Sequence, residues 1–204
     1  MAPGPSPAPS AGIVLRPLTG AAFRFDPGAL CLELLVTGGP GEFRRWESLH
    51  GPAGLVAWAA GSRLSPAPVP EVTDAEAGAA RRVRDALWRL VHARLAGEAP
   101  PREAVAEINA AAAAPPLVPA IGPDGERVWA PPVTGGALLS TVARDAIALL
   151  TGPHLGRLRV CEGERCHLVF VDTSRAGRRR WCSMERCGNL HKVRALRARR
   201  ERDA

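Results

Sequence analysis

CEGERCHLVFVDTSRAGRRRWCSMERC, residues 161–187, holds four of the chain's five cysteines as two CxxxxC pairs, Cys161/Cys166 and Cys182/Cys187. Zinc takes four thiolates tetrahedrally at about 2.3 Å, and a tight turn bearing two cysteines can direct both sulfurs at one ion. Two such turns complete its shell. One structural Zn²⁺ held by Cys161, Cys166, Cys182 and Cys187 is the expectation, with an iron–sulfur cluster and a redox or disulfide pair as alternatives. A closed shell of four thiolates leaves no position for substrate, so the metal's purpose is stability. The segment has only Leu168, Phe170, Trp181, Val193, Leu196 and a few others to bury, and zinc supplies about 10–16 kcal/mol of coupled binding and folding. His167 and His191 adjoin the site, and either could replace a cysteine as ligand, but four thiolates are available and are the expected set.

Between the pairs, Leu168 to Val171 reads as an apolar strand, Asp172 to Gly177 as a turn with self-capping side chains, and the stretch ending at Trp181 as a returning strand. A helix starting at the last knuckle then runs through NLHKVRALRARRER, with Val193 and Leu196 expected to pack it onto the hairpin. Knuckle, hairpin, knuckle and helix is the order of a treble-clef finger. Cys187 falls in the first turn of that helix, where the dipole favours a thiolate.

Charge divides the chain at the same place. Residues 157–204 carry 14 Lys and Arg against 6 Asp and Glu, which leaves 13 against 14 for residues 1–156. Such asymmetry points to a polyanionic partner, usually nucleic acid, and a membrane surface is the weaker reading because the basic tail has no bulky aromatic face to insert. Arg178, Arg179 and Arg180 before the second pair, and Arg186, Lys192, Arg194, Arg197, Arg199 and Arg200 along the helix, are the candidate phosphate contacts. Arg186, Leu190, Arg194 and Arg197 share one helical stripe, so a leucine interrupts a row of arginines. Asn189 has two readings, an adenine reader or a helix-turn amide bonded to backbone.

The segment CHLVFVDTSRAGRRRWCSMERCGNLHKVRALRARR, 166–200, resembles the CGNR zinc finger, which bacterial proteins carry behind an N-terminal ABATE domain and which is regarded as part of stress-induced transcription regulators. Both cysteine pairs, FVDTSR, RRRWCSM and KVRALRAR carry the resemblance over about 161–200. Over 23–150 it rests on ALCLELLVT, the Trp58 helix and the order of elements. The family's eponymous Arg is Leu190 here, giving CGNL, and His167 stands where a small residue often follows the first knuckle. The resemblance implies a zinc-dependent DNA-binding regulator with a ligand-sensing domain at 13–155 and the finger at 156–204.

Upstream, residues 1–12 are Pro, Ala, Ser and Gly with little to bury and are expected to be disordered. ALCLELLVT (29–37) is apolar enough for a buried helix or strand, with Cys31 as a small buried hydrophobe. GPAGLVAWAAGSR predicts a short helix opened by Pro52 and stopped by Gly61. Thr73 and Glu76 have capping-box spacing before Val83, Leu87, Leu90, Val91 and Leu95, which predicts a long helix ending at Gly97. A helix from Pro101 to Pro115, two short strands around GPDG and a last helix over about 136–151 follow. The fold class is α+β: a mostly helical N-terminal domain with a small β-hairpin, then a treble-clef-like zinc finger built on four cysteines. Cutting the chain at 157 is expected to leave the helical domain folded.

Trp46, His50, Trp88 and His92 read as packing or surface residues. No phosphate loop, HExxH or nucleophile elbow is present in the sequence, so no enzyme is expected. No run reaches the 18 or so apolar residues of a membrane span, and the start lacks a secretory signal's basic and apolar regions, so a cytoplasmic protein is expected. A protein-interaction or RNA-binding finger is the rival reading.

Overall fold

The computed structural model describes residues 12–17 and 20–202, without the side chains of 195, 197, 198, 201 and 202. The segment expected to be disordered lies outside the described residues except for Gly12. ALCLELLVT forms a helix, α1 (Leu30–Leu35), whose faces are nearly all buried. The Cys31 backbone N–H donates to the Asp145 carboxylate at 2.8 Å. Burial, with the Asp145 charge beside it, pushes the Cys31 thiol well up, so it stays a neutral apolar group.

The helices follow their sequence signals: α2 (Pro52–Gly61), α3 (Asp74–Ala96), α4 (Arg102–Ala113) and α5 (Gly135–Thr151). Thr73 and Glu76 form the reciprocal capping box of α3, and Gly97, at φ 72°, ends it. Ala80, Val83, Leu87 and Val91 of α3 face Ala104 and Ile108 of α4 and Leu138, Val142 and Ala146 of α5 in one core. Arg84, only 2% exposed, enters this layer with Glu47 at 2.7 Å and Asp85 at 3.0 Å. A buried guanidinium persists there because both neighbours are carboxylates.

Among the described residues three antiparallel hairpins complete the architecture: β1 (Ile13–Leu15) with β2 (Phe23–Phe25), β3 (Pro119–Ile121) with β4 (Arg127–Trp129), and β5 (Leu158–Val160) with β6 (Val169–Val171). The third corrects the expected finger. Val169–Val171 pairs with the strand before the first knuckle, so the hairpin wraps Cys161–Cys166. The expected returning strand ending at Trp181 does not form. Buried Asp172 accepts from the Ser174 N–H at 2.9 Å, the Ser174 hydroxyl at 2.5 Å and the Arg179 N–H at 2.8 Å, which curls the chain away from β6.

A second correction concerns α6 (Asn189–Arg202), which follows a one-turn π-helical segment, Met184–Gly188, bearing Cys187. Val193 and Leu196 do not pack this helix onto the hairpin; they are 48% and 51% exposed. The place is already taken. Phe23 and Phe25 of β2 pack with Phe170, Cys161, Cys182 and Cys187 in a second core, while Leu158, Val169 and Val171 join the main one. The Val171 N–H also donates to the Pro27 carbonyl at 2.8 Å. The finger therefore shares both cores with the N-terminal part of the chain.

Candidate metal centre

The four sulfurs of Cys161, Cys166, Cys182 and Cys187 lie within 4.8 Å of one another. Cys166 and Cys182 are 3.7 Å apart, and Cys182 and Cys187 3.5 Å. A zinc tetrahedron with bonds of about 2.3 Å has sulfur–sulfur edges of about 3.8 Å, whereas a disulfide needs about 2.05 Å. All five cysteines are free thiols. The cage fits one zinc ion, and a tetrathiolate shell would supply structural cross-linking without an open position for chemistry.

The polypeptide around the cage is shaped for thiolates. The Gly163 and Cys182 backbone N–H groups donate to Cys161 Sγ at 3.4 and 3.2 Å, the second-sphere bonds that stabilise sulfur charge. Gly163 allows the knuckle to close: a Cβ there would sit 2.8 Å from Cys187 Sγ. The Ser183 hydroxyl accepts from the Glu185 N–H at 3.2 Å and caps the turn bearing Cys187. Hydrogen bonds from the Cys166 and Cys182 thiols hold Cys161 far below the ordinary thiol value despite its burial. Donating to Cys161 pushes the Cys166 thiol up to about 12, and Cys182 is raised for the same reason. A divalent metal is what would make four thiolates compatible in so small a cage.

The candidate phosphate contacts divide by what they already touch. Arg179 is committed inward: Nη1 donates to the Asp26 carbonyl at 3.0 Å, Nε to Trp181 at 3.0 Å and Nη2 to Cys182 at 2.6 Å, with the guanidinium 4.2 Å from the Phe170 ring centroid. It straps the second knuckle to the N-terminal part of the chain. Arg180 pairs with Glu162 at 2.5 Å, Arg194 pairs with Glu164, and Arg186 lies over the Phe23 ring at 4.8 Å. Arg178, Lys192, Arg199 and Arg200 are exposed. The Arg197 side chain lies outside the described residues. Asn189 Nδ2 donates to the Glu185 carbonyl at 3.3 Å, the helix-turn amide of the two sequence readings. Leu190, 52% exposed, stands beside Arg194 on the surface.

Sequence reasoning missed the Arg179 strap and the two knuckle carboxylates. The glutamates sit at alternate positions in CEGERC, but their arginine partners are 18 and 30 residues away, beyond any local pattern.

Among the described residues no helix is long and apolar enough to cross a membrane. No curated protein matches the chain. Two family models do: the CGNR zinc finger over residues 157–200, and ABATE, described as "Putative stress-induced transcription regulator", over residues 28–153. Neither is an enzyme family. With more than half its length matched by the first-lying of these, and with the four-cysteine cage where the finger should be, the chain belongs to the ABATE family and carries a CGNR zinc finger.

Proposed function

We propose that this protein is a zinc-dependent, DNA-binding transcription regulator of the bacterial cytoplasm, in which the finger contacts double-stranded DNA and the helical part senses a small molecule. The observation that carries the reading is α6: a helix exposed at every described position beyond Gly188, in a segment holding 14 Lys and Arg against 6 Asp and Glu. Cys161, Cys166, Cys182 and Cys187 hold one zinc ion, which fixes the turn from which α6 projects. Arg178, Lys192, Arg199 and Arg200 contact phosphate, and each displaces counterions on binding. Arg180, Arg186 and Arg194 flank this set through their own partners, and Arg179 positions the knuckle.

Fluorescence anisotropy with a labelled DNA duplex tests the reading. Affinity is expected to fall steeply with salt, and the combined change Lys192→Ala, Arg199→Ala and Arg200→Ala should flatten the log–log slope by about 2.7, at about 0.9 per contact. Preference for single-stranded RNA, or a slope unmoved by the triple change, would defeat it. A protein-interaction finger is the second reading, favoured by the exposed Leu190, Val193 and Leu196 along α6.

A further inference from the structure

The chain has four Phe, five Trp and no Tyr, and six of these nine rings join one of the two cores. Phe43, Trp46 and Trp88 belong to neither. All three meet at one place, with ring centroids 5.7 Å apart for Phe43 and Trp46 and 5.6 Å for Phe43 and Trp88. His92 stacks on Trp88 at 3.9 Å and His167 meets Phe43 edge-on at 5.4 Å, which continues the wall from α3 to the first zinc knuckle. Half-buried aromatic rings lining a concavity, with no core to pack, are the usual walls of a small-molecule site.

The rings line a cleft of about 1160 Å³ between the helical part and the finger. Its other walls include Arg16 of the β1–β2 connection, the knuckle residues Glu162 to Cys166, and Leu190, His191 and Arg194 of α6. The charge of this lining is one-sided. Among the described residues its two carboxylates are already taken, Glu162 by Arg180 and Glu164 by Arg194. Arg45, 3.9 Å from the Trp46 ring centroid and 3.6 Å from the exposed Glu42, and Arg16, Arg165 and Arg186 face the same space with no carboxylate of the lining opposite them. Arg45 already has Glu42 and Arg186 lies on the Phe23 ring, but a neutral apolar ligand would give Arg16 and Arg165 no counter-charge, and an aliphatic anion would leave the ring wall unmatched.

We infer that the cleft between the helical part and the zinc finger is the binding site for a planar aromatic acid, its rings stacked on Phe43, Trp46 and Trp88 and its anionic group held by the arginines of the lining. Because Cys166, Cys187, Leu190 and Arg194 belong to the same walls, an occupant touches the finger and the base of α6 directly. The regulatory half of the inference, that occupancy changes DNA affinity, rests on the function proposed above; the binding half does not.

Calorimetry on the zinc-loaded full chain with 2-naphthoate tests it. One site per chain is expected, with 2-naphthamide, the neutral isostere, and cyclohexanecarboxylate, the non-aromatic acid, each at least about tenfold weaker, since a charge-assisted hydrogen bond or a stacked ring is lost. Trp88→Leu and Arg16→Ala should each weaken 2-naphthoate several-fold; both side chains lie outside the cores, and unchanged melting curves will show that the variants fold. No saturable binding at millimolar 2-naphthoate, equal affinity for the three probes, or native affinity in both variants would overturn the site. DNA anisotropy with and without saturating 2-naphthoate then tests the regulatory half: a changed affinity supports it, and an unchanged one overturns that half while the calorimetric result stands. Absence of any DNA binding would defeat the proposed function and leave the site intact.

Discussion

Replacing Arg179 by alanine should unfasten the finger from the rest of the chain without removing a phosphate contact. The side chain makes three charge-assisted hydrogen bonds, to the carbonyls of Asp26, Trp181 and Cys182, and stacks on Phe170. Each such bond contributes at least about 1.5 kcal/mol net and the ring contact about 0.5–1. One guanidinium makes all of them and water can reach part of the site, so the combined loss is about 3–4 kcal/mol rather than the full sum. For a chain of 204 residues that is a fall of about 6–16 °C in Tm. Arg179→Lys keeps the charge but has no planar fork, so it should recover less than half of the loss. The control is Arg178→Ala, one residue away and exposed. It should leave the melting curve unchanged and flatten the DNA salt slope by about 0.9. Thermal melts and salt titrations on the four proteins decide the matter. A native Tm in Arg179→Ala together with a flattened slope would refute the strap and return Arg179 to the phosphate contacts.

Metal analysis of the purified protein should give one zinc per chain, lost when Cys161 and Cys187 are both replaced by Ser. Because Phe23 and Phe25 share a core with the cysteines, chelation should shift one cooperative melting transition, and two independent transitions would contradict the shared core. A pH dependence arises at Glu47. Partial burial pushes its carboxyl up, but hydrogen bonds from Arg84 and the Leu49 N–H, with the charges of Arg84 and Arg81, outweigh this and hold it below the ordinary carboxylate value. The pair therefore contributes fully above that ordinary value and loses its contribution as pH falls through Glu47's own lower one. Glu47→Gln should cost about 3 kcal/mol near neutrality, since Asp85 still faces Arg84, and should flatten the acid limb of stability against pH; an acid limb as steep as the native one would contradict this.

What was legible in the sequence was local. The capping box of α3, Pro52 opening α2 and the two CxxxxC pairs each act within a few residues, and each appears in the structure where the spacing puts it. The GPDG turn marked the β3–β4 hairpin, and the other two hairpins were harder for a physical reason. IVL, FRF and LRV are three residues long, and a period of two cannot register over three positions. The error at Arg178–Trp181 had another source: Asp172 reads correctly as a turn former, but its capture of the Arg179 N–H redirects the chain, and the residues that follow do not encode that bond. Least legible was the sharing of cores. Arg179 bonds a carbonyl 153 residues away at Asp26, and Phe170 meets Phe23 and Phe25 across a similar separation. Those contacts also explain why α6 stands out from the protein. With the hairpin's apolar faces filled from the N-terminal side, Val193 and Leu196 stay about half exposed, and beyond the base of α6, which borders the cleft, the described residues of the basic helix face solvent.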